Sequence, residues 1–488
     1  MRSLRLVALL TIAAHSAFAQ QPVARGSALS LEDAIGTARK NNPLYLQTEN
    51  GVRVQDANVR AAYGQLLPRA SAGFDTRYQQ GGTQYYQGVA LGGGSTDAYS
   101  SSYSIGLSYN VSAAIRYAPR AAKANRAAAE ADVRNGAENL RANVTQAYIT
   151  ALQSEATAAV LDSLVETAAG QLELVNAKLK VGAGTIIDVR SAEVVLGQAQ
   201  VNALTAHNTA EIDKLRLYQV MGVPAEMGTK LTTSFQVAQP KFSLDSLVDL
   251  ARRVNPDLAA RKSRQIASDL DVGVARSNYL PSLSIGTGYS AQAFGYVNSD
   301  VLAQQAIAGA ASSRRDCLTR DSIRVGAGLP AAGCGPGTLT EDELSAIRSG
   351  NKPFRFNRAP FGVSASLSMP IFNGFAREQS VENARVQRDN AAYDVRARNL
   401  QLTTDVTQAY LNLVTAAKTV ELQNQIAAKA AEDFALSEAS YRVGAKTFLD
   451  VSTSRAQYEK TQIDRVNAVY EYHKAFAALE NAVGRPLR

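Results

Sequence analysis

Two long stretches of the chain space their apolar or small residues alternately four and three apart. The first runs through Leu140, Val144, Ala147, Ala151, Ser154, Ala158, Leu161, Val165, Ala168, Leu172, Val175 and Leu179. The second, 262 residues on, runs through Leu402, Val406, Ala409, Leu413, Ala416, Val420, Gln423, Ala427, Ala430, Phe434, Ser437 and Tyr441. This is the heptad rhythm of a helix burying one narrow seam, and its many alanines allow a neighbouring helix to come close. Helices are predicted from about Pro119 to Lys180 and from about Phe375 to Arg442, each ~90 to 100 Å long at ~1.5 Å per residue. Shorter helices are expected over Pro43 to Leu66, Ile186 to Gly222, Pro256 to Tyr279 and Phe448 to Val483. In each half the two short helices together match the long one, so they can flank it end to end.

Between the helices the period changes from 3.5 to 2. SSYSIGLSYNV sets Tyr103, Ile105, Leu107, Tyr109 and Val111 against Ser104, Gly106, Ser108 and Asn110. SLSIGTGYSA sets Leu283, Ile285, Thr287, Tyr289 and Ala291 against Ser284, Gly286, Gly288 and Ser290. FGVSASLSM alternates in the same way, and ASAGFDTRY does so more weakly. Strands are therefore expected at about 70–80, 101–112, 282–292 and 361–370, with apolar residues and Tyr on one face and small polar residues on the other. Each is ~9 to 11 residues long, enough to cross a bilayer as a tilted strand. Four strands cannot close a barrel, because the smallest membrane barrels have about eight. Several copies of the chain must pool their strands.

The two halves are copies. LSLEDAIGTARKNNP matches FSLDSLVDLARRVNP, so that Pro43 aligns with Pro256 and, at the same offset of 213, Pro68 with Pro281. VTQAY recurs at 144 and 406, VGAGTIIDV at 181 answers VGAKTFLDV at 443, and MGVP answers VGRP, all offset by 262. Residues 20–242 form the first repeat and 243–488 the second. The added residues of the second copy belong to a long loop at 293–358, and a shorter loop near YYQGVALGGGSTDAY tips the first strand pair. The entry to the first long helix, YNVSAAIRYAPR, lacks the proline-apolar-glycine turn seen as MPIFNGF in the second copy. The chain must turn there differently.

Composition narrows the setting. Arg2 and Arg5, the apolar run from Leu6 to Ala14 and the Ala17-Phe18-Ala19 pattern predict a signal peptide over residues 1–19. No later stretch has the length and apolarity of a membrane helix, which leaves a β-barrel as the way for this chain to span lipid. Removing Arg2 and Arg5 lowers the formal charge from +8 to +6. That charge is spread without a basic run, so no nucleic-acid partner is expected. Cys317 and Cys334, the only two cysteines, lie in one Gly-rich segment of the long loop, and in an oxidising compartment such a pair predicts a disulfide. No cofactor or metal is expected, and the motifs of hydrolytic, phosphate-binding or zinc enzymes are absent.

Signal peptide, duplicated halves, paired strands, long helices and the twin segments VGAGTIIDV and VGAKTFLDV together resemble the TolC-like outer-membrane efflux protein family. The resemblance covers essentially the whole mature chain. It implies an α+β membrane protein in which three chains share a twelve-stranded outer-membrane β-barrel, continuous with a long α-helical coiled-coil periplasmic tunnel. Such a protein is a passive exit duct of tripartite efflux or type I secretion systems. Its implied partners are outer-membrane lipid, a periplasmic adaptor (membrane fusion protein) and an inner-membrane transporter of RND, ABC or MFS type.

The twin segments are the candidate site. Gly182 and Gly444 stand where a residue of positive φ ends a helix, and Thr185 with Asp188 and Thr447 with Asp450 fit capping boxes that open the return helices. Both aspartates can act as caps alone. The resemblance adds an adaptor-docking role for Val181, Gly182, Ala183, Gly184 and Thr185 and for Val443, Gly444, Ala445, Lys446 and Thr447. It also implies a periplasmic gate in which Asp188 faces Tyr441 and Lys446, with Asp450 forming a threefold acidic ring. A second acidic ring one turn further in would fall on Thr453 and is missing. The competing reading is a soluble periplasmic coiled-coil adaptor or scaffold.

Overall fold

The computed structural model describes residues 28–82, 85–87, 89–90, 96–226, 228–237, 242–352 and 354–487. The expected signal peptide and most of the short loop between the first two long strands lie outside these residues. The first repeat contains β1 (Ala28–Leu29), α1 (Leu31–Asn41), α2 (Pro43–Gly64), β2 (Arg69–Gln79), β3 (Tyr85–Tyr86), β4 (Val89–Ala90), β5 (Ala98–Val111), α3 (Ala118–Lys180), α4 (Ile186–Met221) and β6 (Lys230–Leu231). The second contains α5 (Leu244–Val254), α6 (Pro256–Ser277), β7 (Ser282–Tyr296), α7 (Asp300–Gly326), α8 (Glu341–Gly350), β8 (Asn357–Arg358), β9 (Gly362–Ser368), α9 (Ala376–Arg442) and α10 (Phe448–Val483). The chain divides into a helical unit, with its described residues up to Ala57, Lys123–Ala267 and Arg388–Arg488, and a second unit of Asn58–Ala122 and Ser268–Gln387.

The helical unit shows what the repeat builds. Ala34, Ala38, Leu140, Val144, Tyr148, Leu217 and Met221 form one buried cluster. Leu247, Ala251, Leu402, Val406, Leu479 and Val483 lie together in another. At the sequence offsets of 213 and 262 these are the same positions, so each repeat closes α1, α3 and α4, or α5, α9 and α10, around an equivalent core. VTQAY supplies Val144 and Val406, both fully buried, at the centre of each. Tyr148 does more than pack. Its hydroxyl donates to the Leu29 carbonyl at 2.7 Å and accepts from the Thr232 and Thr233 amides at 3.1 Å each, holding the parallel β1–β6 pair.

The repeated Asn-Pro and Gly motifs meet in space. Pro43 and Pro256 open α2 and α6, where a missing N–H costs nothing. The preceding Asn42 accepts from the Tyr45 amide at 3.0 Å and donates to the Val220 carbonyl at 2.8 Å. Asn255 repeats this with the Leu258 amide at 3.1 Å and the Ala482 carbonyl at 3.3 Å. Gly222 ends α4 at φ 76°, and a Cβ there would lie 2.7 Å from the Asn41 carbonyl oxygen. Gly484 ends α10 at φ 89°, with Pro256 Cδ 2.9 Å from the same virtual atom. Each glycine therefore satisfies a left-handed turn and a close backbone approach together.

In the second unit, β2, β5, β7 and β9 form an antiparallel sheet in that order. The alternation read from sequence is retained: Phe74, Ile105, Leu107, Ile285, Tyr289, Val363 and Leu367 are all exposed. On the opposite face small residues meet across the ladder, Gly106 against Gly288 and Ser104 against Ser290. At Gly288 a Cβ would come within 2.7 Å of the Ile105 carbonyl oxygen. The long ladders of β2 and β9 each have one partner among the described residues, so both outer edges of the sheet present unpaired backbone groups. Such edges are normally blunted or covered.

Some expected boundaries shift. β7 extends to Tyr296, and β9 stops at Ser368, short of 370. Pro370 cannot donate to a ladder, and Arg377 donates to the carbonyls of Pro370 and Ile371, the latter at 2.7 Å. Positive φ at Gly374 and Phe375 makes the turn into α9. The first copy instead enters α3 through a 3-10 turn at Ala113–Arg116.

The expected long loop at 293–358 is mostly ordered structure: its first residues finish β7, and α7 and α8 occupy much of the remainder. The Thr340–Glu343 capping box opens α8, Arg348 joins Asp300 and Glu341 at 3.0 Å each, and Asn351 clasps the Tyr296 backbone from both sides. A Cys317–Cys334 disulfide with Cα atoms 5.8 Å apart holds the connection after α7 against that helix.

Candidate functional site: the twin helical tips

The two tips share one backbone design. Gly182 (φ 71°) and Gly444 (φ 82°) end α3 and α9. The amides after the helices turn back: Gly182 to the Leu179 carbonyl at 3.0 Å and Ala183 to Lys178 at 2.9 Å, matched by Gly444 to Tyr441 at 3.1 Å and Ala445 to Ser440 at 2.8 Å. Both return helices open on complete capping boxes. The Asp188 amide donates to Thr185 Oγ1 at 3.1 Å, while the Asp188 carboxylate accepts from the Thr185 amide and hydroxyl at 3.1 and 2.8 Å. Asp450 and Thr447 repeat the pattern at 3.3, 2.9 and 2.7 Å.

Side chains then distinguish the copies. Tyr441 is buried with Val175, Val189, Phe434, Phe448 and Val451, its ring edge-on to Phe448 with centroids 6.1 Å apart. Its hydroxyl is buried without a hydrogen-bond partner. Burial, and after it the charge of Asp188, pushes the phenol pKa up, which places Asp188 within electrostatic reach of Tyr441. The expected link from Asp188 to Lys446 does not form in the isolated chain: Lys446 Nζ donates to Ser437 Oγ at 2.9 Å, while Asp188 is occupied by its own cap. The reason is local, since the capping box satisfies the carboxylate within its own helix start and Ser437 lies one helical layer in from the turn. Lys446 acts instead on Asp450, whose carboxyl is held below its ordinary value of 3.8 first by the Thr447 hydroxyl, then by the Thr447 amide, and to a smaller degree by Lys446. Thr453 bonds the Leu449 carbonyl at 2.9 Å within its helix.

Sequence reading missed Lys178. Its ammonium donates to the Tyr441 carbonyl and lies 4.1 Å from the centre of the Tyr441 ring, joining the end of α3 to the end of α9. The available signal was the mismatch between copies, because Lys178 aligns with Ser440 and Leu179 with Tyr441. Around these groups the turns carry exposed apolar residues, with Val181 77% and Val443 82% exposed. Ile186, Ile187, Val194, Phe448 and Leu449 line a groove beside Asp188. The tips therefore combine hydrogen-bonded backbone turns, capping carboxylates and an uncovered apolar surface.

A sheet with an apolar exposed face and open edges, in a chain duplicated around long coiled-coil helices, defines an outer-membrane channel built from several subunits. The family model of outer membrane efflux proteins matches residues 34–223 and 338–485, and the chain belongs to that family. It is 25% identical over 462 residues to the outer membrane efflux protein BepC of Brucella suis biovar 1, covering 93% of this chain and 85% of that one. The crystal structure of CusC superposes with TM-score 0.71 at 14% identity over 93% of this chain and 92% of that chain. The outer membrane protein VceC of Vibrio cholerae gives TM-score 0.67 at 17% identity, over 94% and 97%. The fold is that of the trimeric TolC-like channels, in which four strands per chain make a twelve-stranded barrel joined to a helical periplasmic tunnel. The protein is an outer-membrane efflux duct and not an enzyme, and it is the outer-membrane component of a tripartite system with an adaptor and an inner-membrane transporter. The soluble adaptor reading is set aside.

Proposed function

We propose that a homotrimer of this chain forms the exit duct for an RND, ABC or MFS transporter, in an efflux or type I secretion system, and that its periplasmic mouth is made by the two helical tips. The observation carrying this reading is the pair of capped turns, which hold apolar residues outward on a backbone rigid enough to be gripped. Val181 to Thr185 and Val443 to Thr447 serve as the adaptor-docking surface, where exposed apolar side chains around a polar rim suit a partner hairpin.

Asp188, Tyr441, Lys446 and Asp450 line the gate. Three Asp450 carboxylates around the threefold axis favour cations, and a narrow mouth of low dielectric strengthens that preference. Thr453 adds no second ring of charge, so the preference is modest. The strand tips, including the disulfide-stapled α7, face outside the cell. Crosslinking and co-purification of the native complex from the envelope tests the assembly: an adaptor crosslinked through the tip residues and a co-purifying transporter are expected. Recovery of the chain from the soluble periplasm as a lone protomer would overturn it.

A further inference from the structure

We infer that the end of the long insertion, with Lys352, Arg355 and Arg358, is a binding surface for the phosphate groups of a phosphorylated glycolipid in the outer leaflet of the membrane. This rests on the reading above that the strand tips face outside the cell.

Strand pairing decides which face of the sheet these residues occupy. Arg358 lies opposite Ala291, and Ala291 opposite Tyr103. Two and six residues before Ala291 stand Tyr289 and Ile285, and Ile105 and Leu107 follow Tyr103 on the same side of β5. Arg358 therefore belongs to the exposed apolar face, and not to the Ser and Gly face turned to the interior of the barrel. The Phe356 ring meets Tyr103 edge-on with centroids 5.1 Å apart, and lies 6.4 Å from Phe354. On this side of β7 Ala291 and Ala293 are buried, whereas Gln292 and Phe294 on the other side are exposed. The last segment of the insertion thus rests against the outside of the sheet.

The height suits a lipid headgroup. Arg358 stands nine residues before Leu367, the last outward apolar residue of β9. At ~3.4 Å per residue and a tilt of about 40° the rise is about 23 Å, close to the ~25 Å apolar band of a membrane barrel. Aromatic rings mark that boundary: Tyr289 and Phe361, with centroids 6.1 Å apart, and the exposed Phe354.

Beside these rings Lys352, Arg355 and Arg358 are all exposed. The acidic groups around them are occupied: Asp300 and Glu341 by Arg348, Glu343 by its capping box, and Asp97 by the Tyr78 hydroxyl and the Gly81 amide. The segment is also anchored, because Asn351 accepts from the Tyr296 amide and donates to its carbonyl, and the Arg355 amide closes a turn on the Lys352 carbonyl at 3.2 Å. Guanidinium forks pair bidentately with phosphate, and the neighbouring rings offer apolar surface to acyl chains. The combination fits an anion carried on a lipid.

The test is titration of the full-chain trimer in detergent with lipid A, a diglucosamine lipid bearing two phosphates, with assembly checked by heat-modifiable migration. Arg355→Gln/Arg358→Gln is expected to weaken binding more than about tenfold, and dephosphorylated lipid A should bind both proteins equally weakly. If the double variant does not assemble, Arg358→Gln alone takes its place with about a fivefold loss expected. Arg315→Gln/Arg320→Gln, which removes two exposed arginines of α7, should leave binding unchanged. An equal loss in that control, or unchanged affinity in Arg355→Gln/Arg358→Gln, overturns the inference. Deacylated lipid A that binds as tightly as lipid A would assign the surface to a soluble phosphorylated sugar and overturn the lipid assignment. Orientation is read separately: Ser345→Cys on α8 should be labelled on intact cells by a membrane-impermeant maleimide. Labelling together with unchanged lipid binding in the double variant overturns the inference alone, and no labelling overturns the outward orientation and the inference with it.

Discussion

The tips of the two hairpins have nearly superimposable backbone chemistry and different side-chain roles. In both, a glycine of positive φ ends the outgoing helix and a Thr-Asp box opens the return. The first tip places Gly184 where a Cβ would press to 3.2 Å from the Leu179 amide, and the second has Lys446 at the aligned position, reaching inward to Ser437. The first supplies a cation through Lys178, the second supplies the ring and carbonyl of Tyr441. Duplication has kept the groups that make a turn, whose geometry is set by local hydrogen bonds. It has let diverge the groups that make one copy hold the other, for which two identical tips would offer only like against like.

The comparison extends along both repeats and can be broken in steps. The largest effect is expected at the glycines. Gly222→Val should destabilise the detergent-solubilised trimer by more than about 3 kcal/mol, because the new side chain meets the Asn41 backbone as well as a left-handed φ. Gly444→Ala, with open space around its Cβ, should cost only the ~1 to 2 kcal/mol of the backbone conformation. Thermal unfolding of both variants measures the difference, and equal losses would mean that the close approach at Gly222 contributes nothing.

Tyr148→Phe should cost about 1 to 3 kcal/mol, since a buried three-bond hub is lost. Tyr410→Phe should cost much less, because the second copy has no strand pair equivalent to β1–β6 among the described residues. Hydrogen exchange at Thr232 and Thr233 reports the first change directly. Thr185→Ala and Thr447→Ala should each lose about 1 kcal/mol of local stability, and unequal losses would show that one box is also held from outside its own hairpin.

The smallest effect is in pH. The Asp450 carboxyl titrates below 3.8, so its contribution is complete above the ordinary carboxylate range and is lost only as pH falls through the depressed value. Cation preference should therefore be retained at neutral pH and lost only in the acid range, as the carboxylate gains its proton. Thr447→Ala, which removes the leading cause of the depression, should move its loss to higher pH.

Much of this protein was readable along the chain. The seam from Leu140 to Leu179 and its copy are visible as a heptad, and most of those positions are buried. The strands were found because a period of two is a local property. Pro370 and Arg377 trimmed β9 through bonds made only after the chain turned, and α7 was hidden inside a Gly-rich insertion where no seam drew attention to a helix. At the tips, Asp188 and Asp450 were recognisable as caps, since a cap pairs residues three apart. Lys178 was not, since its partner lies 263 residues away.

The sequence by itself determined that the chain is duplicated, that its helices are long and narrow-seamed, and that its four strands need sister chains to close a barrel. These follow from periodicities and offsets that act over a few residues or repeat along the chain. Tertiary structure alone decided that Gly222 packs against the Asn-Pro junction, that Tyr148 holds a strand pair, and that Lys178 instead of Lys446 reaches Tyr441. Each of those contacts is a choice among several competent partners, and only the packed distances between helices select one.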